Sequence, residues 1–145
     1  MFKEEELVVF AEGKSILLME DNEINAQIAE SQLVPMGFNV EWAENGRMGL
    51  EMFLGSEENH FCCIITDIMM PEMDGFEAAS NIRKSGRSDA KIPVLGVTAN
   101  TYAEKEVKGN KDINQFITKP YKRNDLIEWI CNDVMSYEAI NDKDR

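Results

Sequence analysis

The sequence predicts an α/β fold: a parallel sheet with helices on both faces. Two observations lead there. Short apolar runs recur that each stop abruptly at a polar residue, and stretches of helical periodicity lie between them. Continuous apolar runs suit strands buried on both faces, and strands alternating with helices build right-handed βαβ units. About five strands and five helices are expected, which at 145 residues is one domain of ordinary size.

The elements follow in chain order. Ile16-Leu17-Leu18-Met19 is the first strand, and Ile24 to Met36 the first helix, with Ala29, Leu33 and Met36 on one stripe. Phe38-Asn39-Val40-Glu41-Trp42 alternates, as a strand nearer an edge would. Asn45 to Ser56 is helical, with Met48, Met52 and Phe53 close together, and Phe61-Cys62-Cys63-Ile64-Ile65 is the next strand. Asp74 to Ser85 carries Gly75, Ala78, Ala79 and Ile82 on one narrow face of small residues that can pack close on a sheet. Val94-Leu95-Gly96-Val97 and Phe116-Ile117 are the last two strands, and Asn124 to Tyr137 carries Leu126, Ile127, Ile130 and Val134. Residues 1–13 are expected to be an N-terminal flank, 14–137 the domain, and 138–145 a polar C-terminal tail.

Composition narrows the function. The net charge of −12 argues against direct nucleic-acid binding, which needs clustered Lys and Arg. It argues equally against anionic membrane surfaces. No apolar run approaches the roughly 20 residues that span a bilayer, and the acidic start Met1-Phe2-Lys3-Glu4-Glu5-Glu6 is unlike a signal peptide. Cys62, Cys63 and Cys131 have no metal-ligand spacing and read as small buried hydrophobes in a reduced, cytoplasmic protein. As neighbours on a strand, Cys62 and Cys63 should point to opposite faces. The single histidine, His60, is a surface residue in a polar stretch, so mechanisms needing two histidines are excluded.

In an open α/β sheet the site lies beyond the carboxyl ends of the strands. There the sequence places Glu20 and Asp21, then Asp67, then Thr98, then Lys119 followed by Pro120. Each has an ordinary reading alone: a helix cap, a turn cap, a strand-end hydroxyl, a solvated lysine. Together, three carboxylates at one edge repel one another unless a cation is present. The set suits Mg²⁺, which prefers oxygen ligands and works with one or two carboxylates and a phosphate. The ammonium and hydroxyl beside it supply what a phosphoryl group needs.

The strings Leu17-Leu18-Met19-Glu20-Asp21-Asn22, Asp67-Ile68-Met69-Met70-Pro71-Glu72-Met73-Asp74-Gly75, Val97-Thr98-Ala99-Asn100 and Phe116-Ile117-Thr118-Lys119-Pro120 resemble a response-regulator receiver domain of two-component signalling. The Glu20-Asp21-Asn22-Glu23-Ile24-Asn25 opening resembles receivers of hybrid sensor histidine kinases. The resemblance implies a flavodoxin-like (βα)5 sandwich with strand order 2-1-3-4-5. It implies that Asp67 accepts a phosphoryl group from the phosphohistidine of a histidine kinase or histidine phosphotransfer domain. It implies Mg²⁺ held by Glu20, Asp21, Asp67 and the backbone carbonyl of Met69, with Thr98 and Lys119 on the phosphoryl oxygens. Thr98 and Phe116 would be the switch pair, and the Lys119–Pro120 bond would be cis. Such a domain is a signalling part rather than a stand-alone enzyme, although it assists its own phosphorylation and dephosphorylation.

Other readings fit less well. A haloacid-dehalogenase-type phosphohydrolase needs a second aspartate where this chain has Met69. A flavin-binding module of the same fold needs a Ser-, Thr- and Gly-rich loop where this chain has Glu20-Asp21-Asn22-Glu23. A receiver that binds partners without phosphorylation would not need all four site elements. The chain departs from the family between Thr98 and Lys119, where only Tyr102, Ala103 and Val107 could face a core. A short, mobile fourth helix ending near Lys108 and capped at Gly109 is expected there. Any homodimer through that face should be weak.

Overall fold

The computed structural model describes residues 4–99 and 110–143. Its five strands are β1 (Ser15–Met19), β2 (Asn39–Ala43), β3 (Phe61–Asp67), β4 (Val94–Thr98) and β5 (Gln115–Thr118). They form one parallel sheet in the order β2-β1-β3-β4-β5. β1, β3 and β4 are buried along their whole length, as their unbroken apolar runs require, and β2 and β5 are the partly exposed edges. The short fourth helix expected over residues 101–108 lies outside the described residues.

Helices α1 (Glu4–Ala11), α2 (Glu23–Leu33), α3 (Gly46–Gly55), α4 (Gly75–Arg83), α5 (Arg123–Trp129) and α6 (Met135–Lys143) complete the described elements. Asn22, Asn45 and Asp74 each accept from the third backbone N–H beyond them, which fixes where α2, α3 and α4 begin. Pro35 ends α2 in a 3₁₀ turn, Val34–Met36. A π-helical turn, Ile130–Val134, joins α5 to α6.

The sheet divides the core in two. On one face Ile16, Leu18, Ile65 and Val97 meet Ala29 and Leu33 of α2 and Leu126, Ile130 and Val134 of the C-terminal helices. On the other, Leu17, Met19 and Ile64 meet Phe53 of α3 and Ala78, Ala79 and Ile82 of α4. The small-residue face of α4 is buried as the spacing predicts, whereas Met48 of α3 is exposed and Gly46, Gly49 and Phe53 form the buried stripe.

Three expectations change. Residues 4–11, expected as flank, form α1, whose Leu7 and Ala11 are buried in the core while Phe10 meets Phe38 edge-on. The expected tail is helical through Lys143, and Glu138 of α6 pairs with Lys14 at 2.8 Å. Cys62 and Cys63 do not point to opposite faces. The β1–β3 register jumps from Ser15↔Phe61 to Ile16↔Cys63, so one extra residue bulges. Both thiols enter the same core layer, 3.9 Å apart. Burial pushes the Cys63 thiol far above its usual range.

Candidate phosphoacceptor site

The strand ends deliver the acidic groups to one place. Oxygens of Glu20, Asp21 and Asp67 lie within 4.8 Å of one another. Glu20 and Asp67 are buried and Asp21 is exposed, so the cluster opens to solvent on the Asp21 side. Glu20 follows β1. Its N–H donates to Ala43 O at 3.0 Å, and its carbonyl accepts from Trp42 Nε1 at 2.7 Å. Asp67 closes the central strand β3, and its Oδ1 accepts from the Met69 N–H at 3.3 Å. The Met69 side chain itself is exposed. Gly75 lets the start of α4 sit against this turn: a Cβ there would lie 2.5 Å from the Asp67 carbonyl oxygen.

Lys119 reaches the cluster from the end of β5. Its ammonium lies 2.9 Å from Asp67 Oδ2 and 3.1 Å from Glu20 Oε1. The Lys119–Pro120 bond is cis, and Lys119 N–H donates to the Thr98 carbonyl at 2.8 Å, joining the ends of β4 and β5. Thr98 is buried at the end of β4. Phe116 on β5 is half-buried and lies across Gly96, where a Cβ would come within 2.7 Å of its ring. The Phe76 ring is 6.3 Å away.

Among the described residues, one ammonium against three carboxylates leaves the site short of positive charge. Burial and the neighbouring Asp67 carboxylate push Glu20 up to about 7. Burial pulls the Lys119 ammonium down, but Asp67 and Glu20 outweigh it and raise it. The donor set is all oxygen, crowded and open on one side, which fits a hard divalent cation such as Mg²⁺.

Tyr121 is a contact the sequence did not signal. It is buried, and its phenol donates to Glu20 Oε1 at 3.0 Å. Burial and the facing Glu20 carboxylate push its phenol well above the usual range, so it remains a donor. Nothing in the residue string marks a tyrosine after a proline as a neighbour of a residue a hundred positions earlier.

The response regulator receiver domain model matches residues 16–131. The chain belongs to the receiver-domain family. Among curated relatives, the receiver is 34% identical over 119 residues to the probable transcriptional regulator ycf29 of Porphyra purpurea, covering 81% of this chain and 55% of that protein. It is 31% identical over 121 residues to the peroxide stress-activated histidine kinase mak3 of Schizosaccharomyces pombe, covering 81% of this chain and 5% of the kinase. The receiver thus spans about half the length of the first relative and a small part of the second. Its fold matches the receiver domain of sensor histidine kinase PA1611 from Pseudomonas aeruginosa PAO1, which was crystallised with magnesium coordinated in its active-site cleft. That match has a TM-score of 0.70 at 26% identity and covers 80% of this chain and 93% of that one. The chemotaxis protein CheY4 of Vibrio cholerae matches with a TM-score of 0.69 at 28% identity, over 81% of this chain and 95% of its own. No helix among the described residues is long and apolar enough to cross a membrane.

Proposed function

We propose that this receiver is the phosphoacceptor of a phosphorelay, with Asp67 as the nucleophile. The observation that carries the reading is Asp67 itself: a buried carboxylate at the end of the central strand, 2.9 Å from the Lys119 ammonium and grouped with Glu20 and Asp21. An Asp67 oxygen attacks the phosphorus of a phosphohistidine. The P–N bond breaks, a P–O bond forms, and the histidine ring takes up a proton. Little covalent chemistry falls to the protein, so positioning and charge neutralisation dominate.

Lys119 neutralises an equatorial phosphoryl oxygen, and the Thr98 hydroxyl donates to another. Glu20, Asp21, Asp67 and the Met69 carbonyl would hold Mg²⁺. The ion, when bound, supplies the remaining positive charge and orients the phosphoryl group. The product is an acyl phosphate, a reactive mixed anhydride that can bias a two-state equilibrium. In the phosphorylated state Thr98 moves toward the phosphoryl group and the Phe116 ring takes the space it leaves. The donor is a histidine kinase or a histidine phosphotransfer domain, and the setting is the cytoplasm. The working unit includes α1 and α6 together with residues 14–137, and it acts as acceptor and switch rather than as a turnover enzyme.

The test is intact mass after incubation with acetyl phosphate and Mg²⁺. One acid-labile phosphoryl group is expected on the wild type and none on Asp67→Asn. Uptake by Asp67→Asn removes the assignment. No uptake by either leaves a receiver that binds partners without phosphorylation.

A further inference from the structure

We propose that Tyr121 is a positioning residue that presets the Glu20 carboxylate for the divalent cation. This rests on the reading of Glu20 as a metal-holding residue. Glu20 faces a like charge: it shares a buried cluster with Asp67, and repulsion favours rotation of its side chain away from Asp67. Its main chain cannot yield, because Ala43 O and Trp42 Nε1 hold it on both sides. The carboxylate therefore has to be held by its own hydrogen bonds. Oε2 accepts from the Asn22 N–H at 3.2 Å, and Oε1 accepts from the Tyr121 hydroxyl at 3.0 Å.

Lys119 also approaches Oε1, at 3.1 Å, but it is shared with Asp67 and is the group that a phosphoryl oxygen would engage. Among the described residues the Tyr121 hydroxyl has no second acceptor of that kind. Its carbonyl takes the Gln32 Nε2–H at 2.7 Å, so α2 fixes its backbone while its ring is packed in the core. Gln32, Tyr121 and Glu20 thus form a linked brace from α2 to the acidic cluster. Phenylalanine at this position would fill the same volume and remove the donor.

The experiment is a Mg²⁺ titration of wild type, Tyr121→Phe and Gln32→Ala, read by melting temperature and by tryptophan fluorescence, since Trp42 Nε1 donates to the Glu20 carbonyl. The expected result is a Mg²⁺ midpoint about tenfold higher in Tyr121→Phe, the usual scale for losing a partner of a metal ligand. A smaller shift in the same direction is expected in Gln32→Ala. A tyrosine with a merely structural role would lower the metal-free melting temperature and leave the midpoint within twofold of wild type, which overturns the proposal. If Tyr121→Phe does not fold, Gln32→Ala decides by the same criterion. A wild type without any Mg²⁺ response refutes the metal site itself, and the role of Tyr121 with it; a wild type that responds alongside an unshifted Tyr121→Phe refutes only the role of Tyr121.

Discussion

Both ends of the parallel sheet carry buried charge, and they treat it in opposite ways. At the amino end, before β3 and β4, Arg87 pairs with Asp89 through two contacts of 2.9 and 3.2 Å. The guanidinium also donates to the carbonyls of Leu54 and Ser56 and lies over the Phe53 ring, while the Asn59 N–H donates to Asp89 at 2.8 Å. Nearby, Arg83 donates to the carbonyls of Ala90, Ile92 and Asp112. Burial raises the Asp89 carboxyl, but Arg87 and the Asn59 N–H outweigh it and hold it below its ordinary value. At the carboxyl end, burial and Asp67 hold Glu20 well above its own. One cluster is balanced within the protein, and the other is left waiting for charge from outside. The difference separates a charge cluster that supports the fold from one that serves a function.

Removing a charge from each cluster tests that contrast most sharply. Asp89→Ala strands a largely buried guanidinium and should cost about 3 kcal/mol, which lowers Tm by roughly 10 °C in a domain of this size. Thermal unfolding in EDTA would show it. A loss of under about 2 °C would mean that the amino-end pair is not a structural one.

The next effect depends on pH. Glu20 has a folded pKa of about 7 against an ordinary 4.5, so its ionised form destabilises the metal-free fold. That penalty is complete above pH 7 and disappears as pH falls toward 4.5. One pKa unit is about 1.4 kcal/mol, so after relaxation the penalty is on the order of 2 kcal/mol. In EDTA, Glu20→Gln should be more stable than wild type at pH 8 and equal to it at pH 4.5. Asp89 runs the other way: its contribution is present above its ordinary pKa of 3.8 and is lost only as pH falls through its lower folded value. Parallel profiles for Glu20→Gln and wild type would erase the contrast.

The smallest effect is that of the ion. Mg²⁺ should raise the wild-type Tm by a few degrees, roughly RT ln(1 + [Mg²⁺]/Kd) of added stability. The rise should shrink in Asp21→Asn and persist in full in Asp89→Ala. An equal rise in Asp21→Asn would remove Asp21 from the metal set.

The carboxyl end was legible because each strand is an apolar run that stops at a polar residue, so Glu20, Asp21, Asp67, Thr98 and Lys119 mark their own positions. The strand order followed from the family motifs those residues belong to. The amino end was not legible. Arg83 makes most of its hydrogen bonds to backbone carbonyls, and Arg87 reaches the carbonyls of Leu54 and Ser56 in another part of the chain, and any residue has a carbonyl. Tyr121 was missed for a related reason: its partner lies 101 residues away. Helix α1 escaped because its apolar stripe, Leu7, Phe10 and Ala11, is only one turn long and is blurred by Val8 and Val9, which face solvent. The paired cysteines were misread because alternation along a strand holds only until a bulge resets it.

That bulge isolates Asp67 from changes in chain length. In a regular strand, gaining or losing one residue turns every later side chain to the opposite face. In β3 the extra residue sits at Cys62, five positions ahead of Asp67, while Cys63 through Thr66 stay in step with Ile16 through Met19. Deleting Cys62 would straighten the strand yet leave Asp67 on its proper side, because its phase is set by β1 rather than counted from the loop before β3. The β3 strand therefore carries a spare tooth: a residue gained or lost ahead of Cys63 leaves the acidic cluster in alignment.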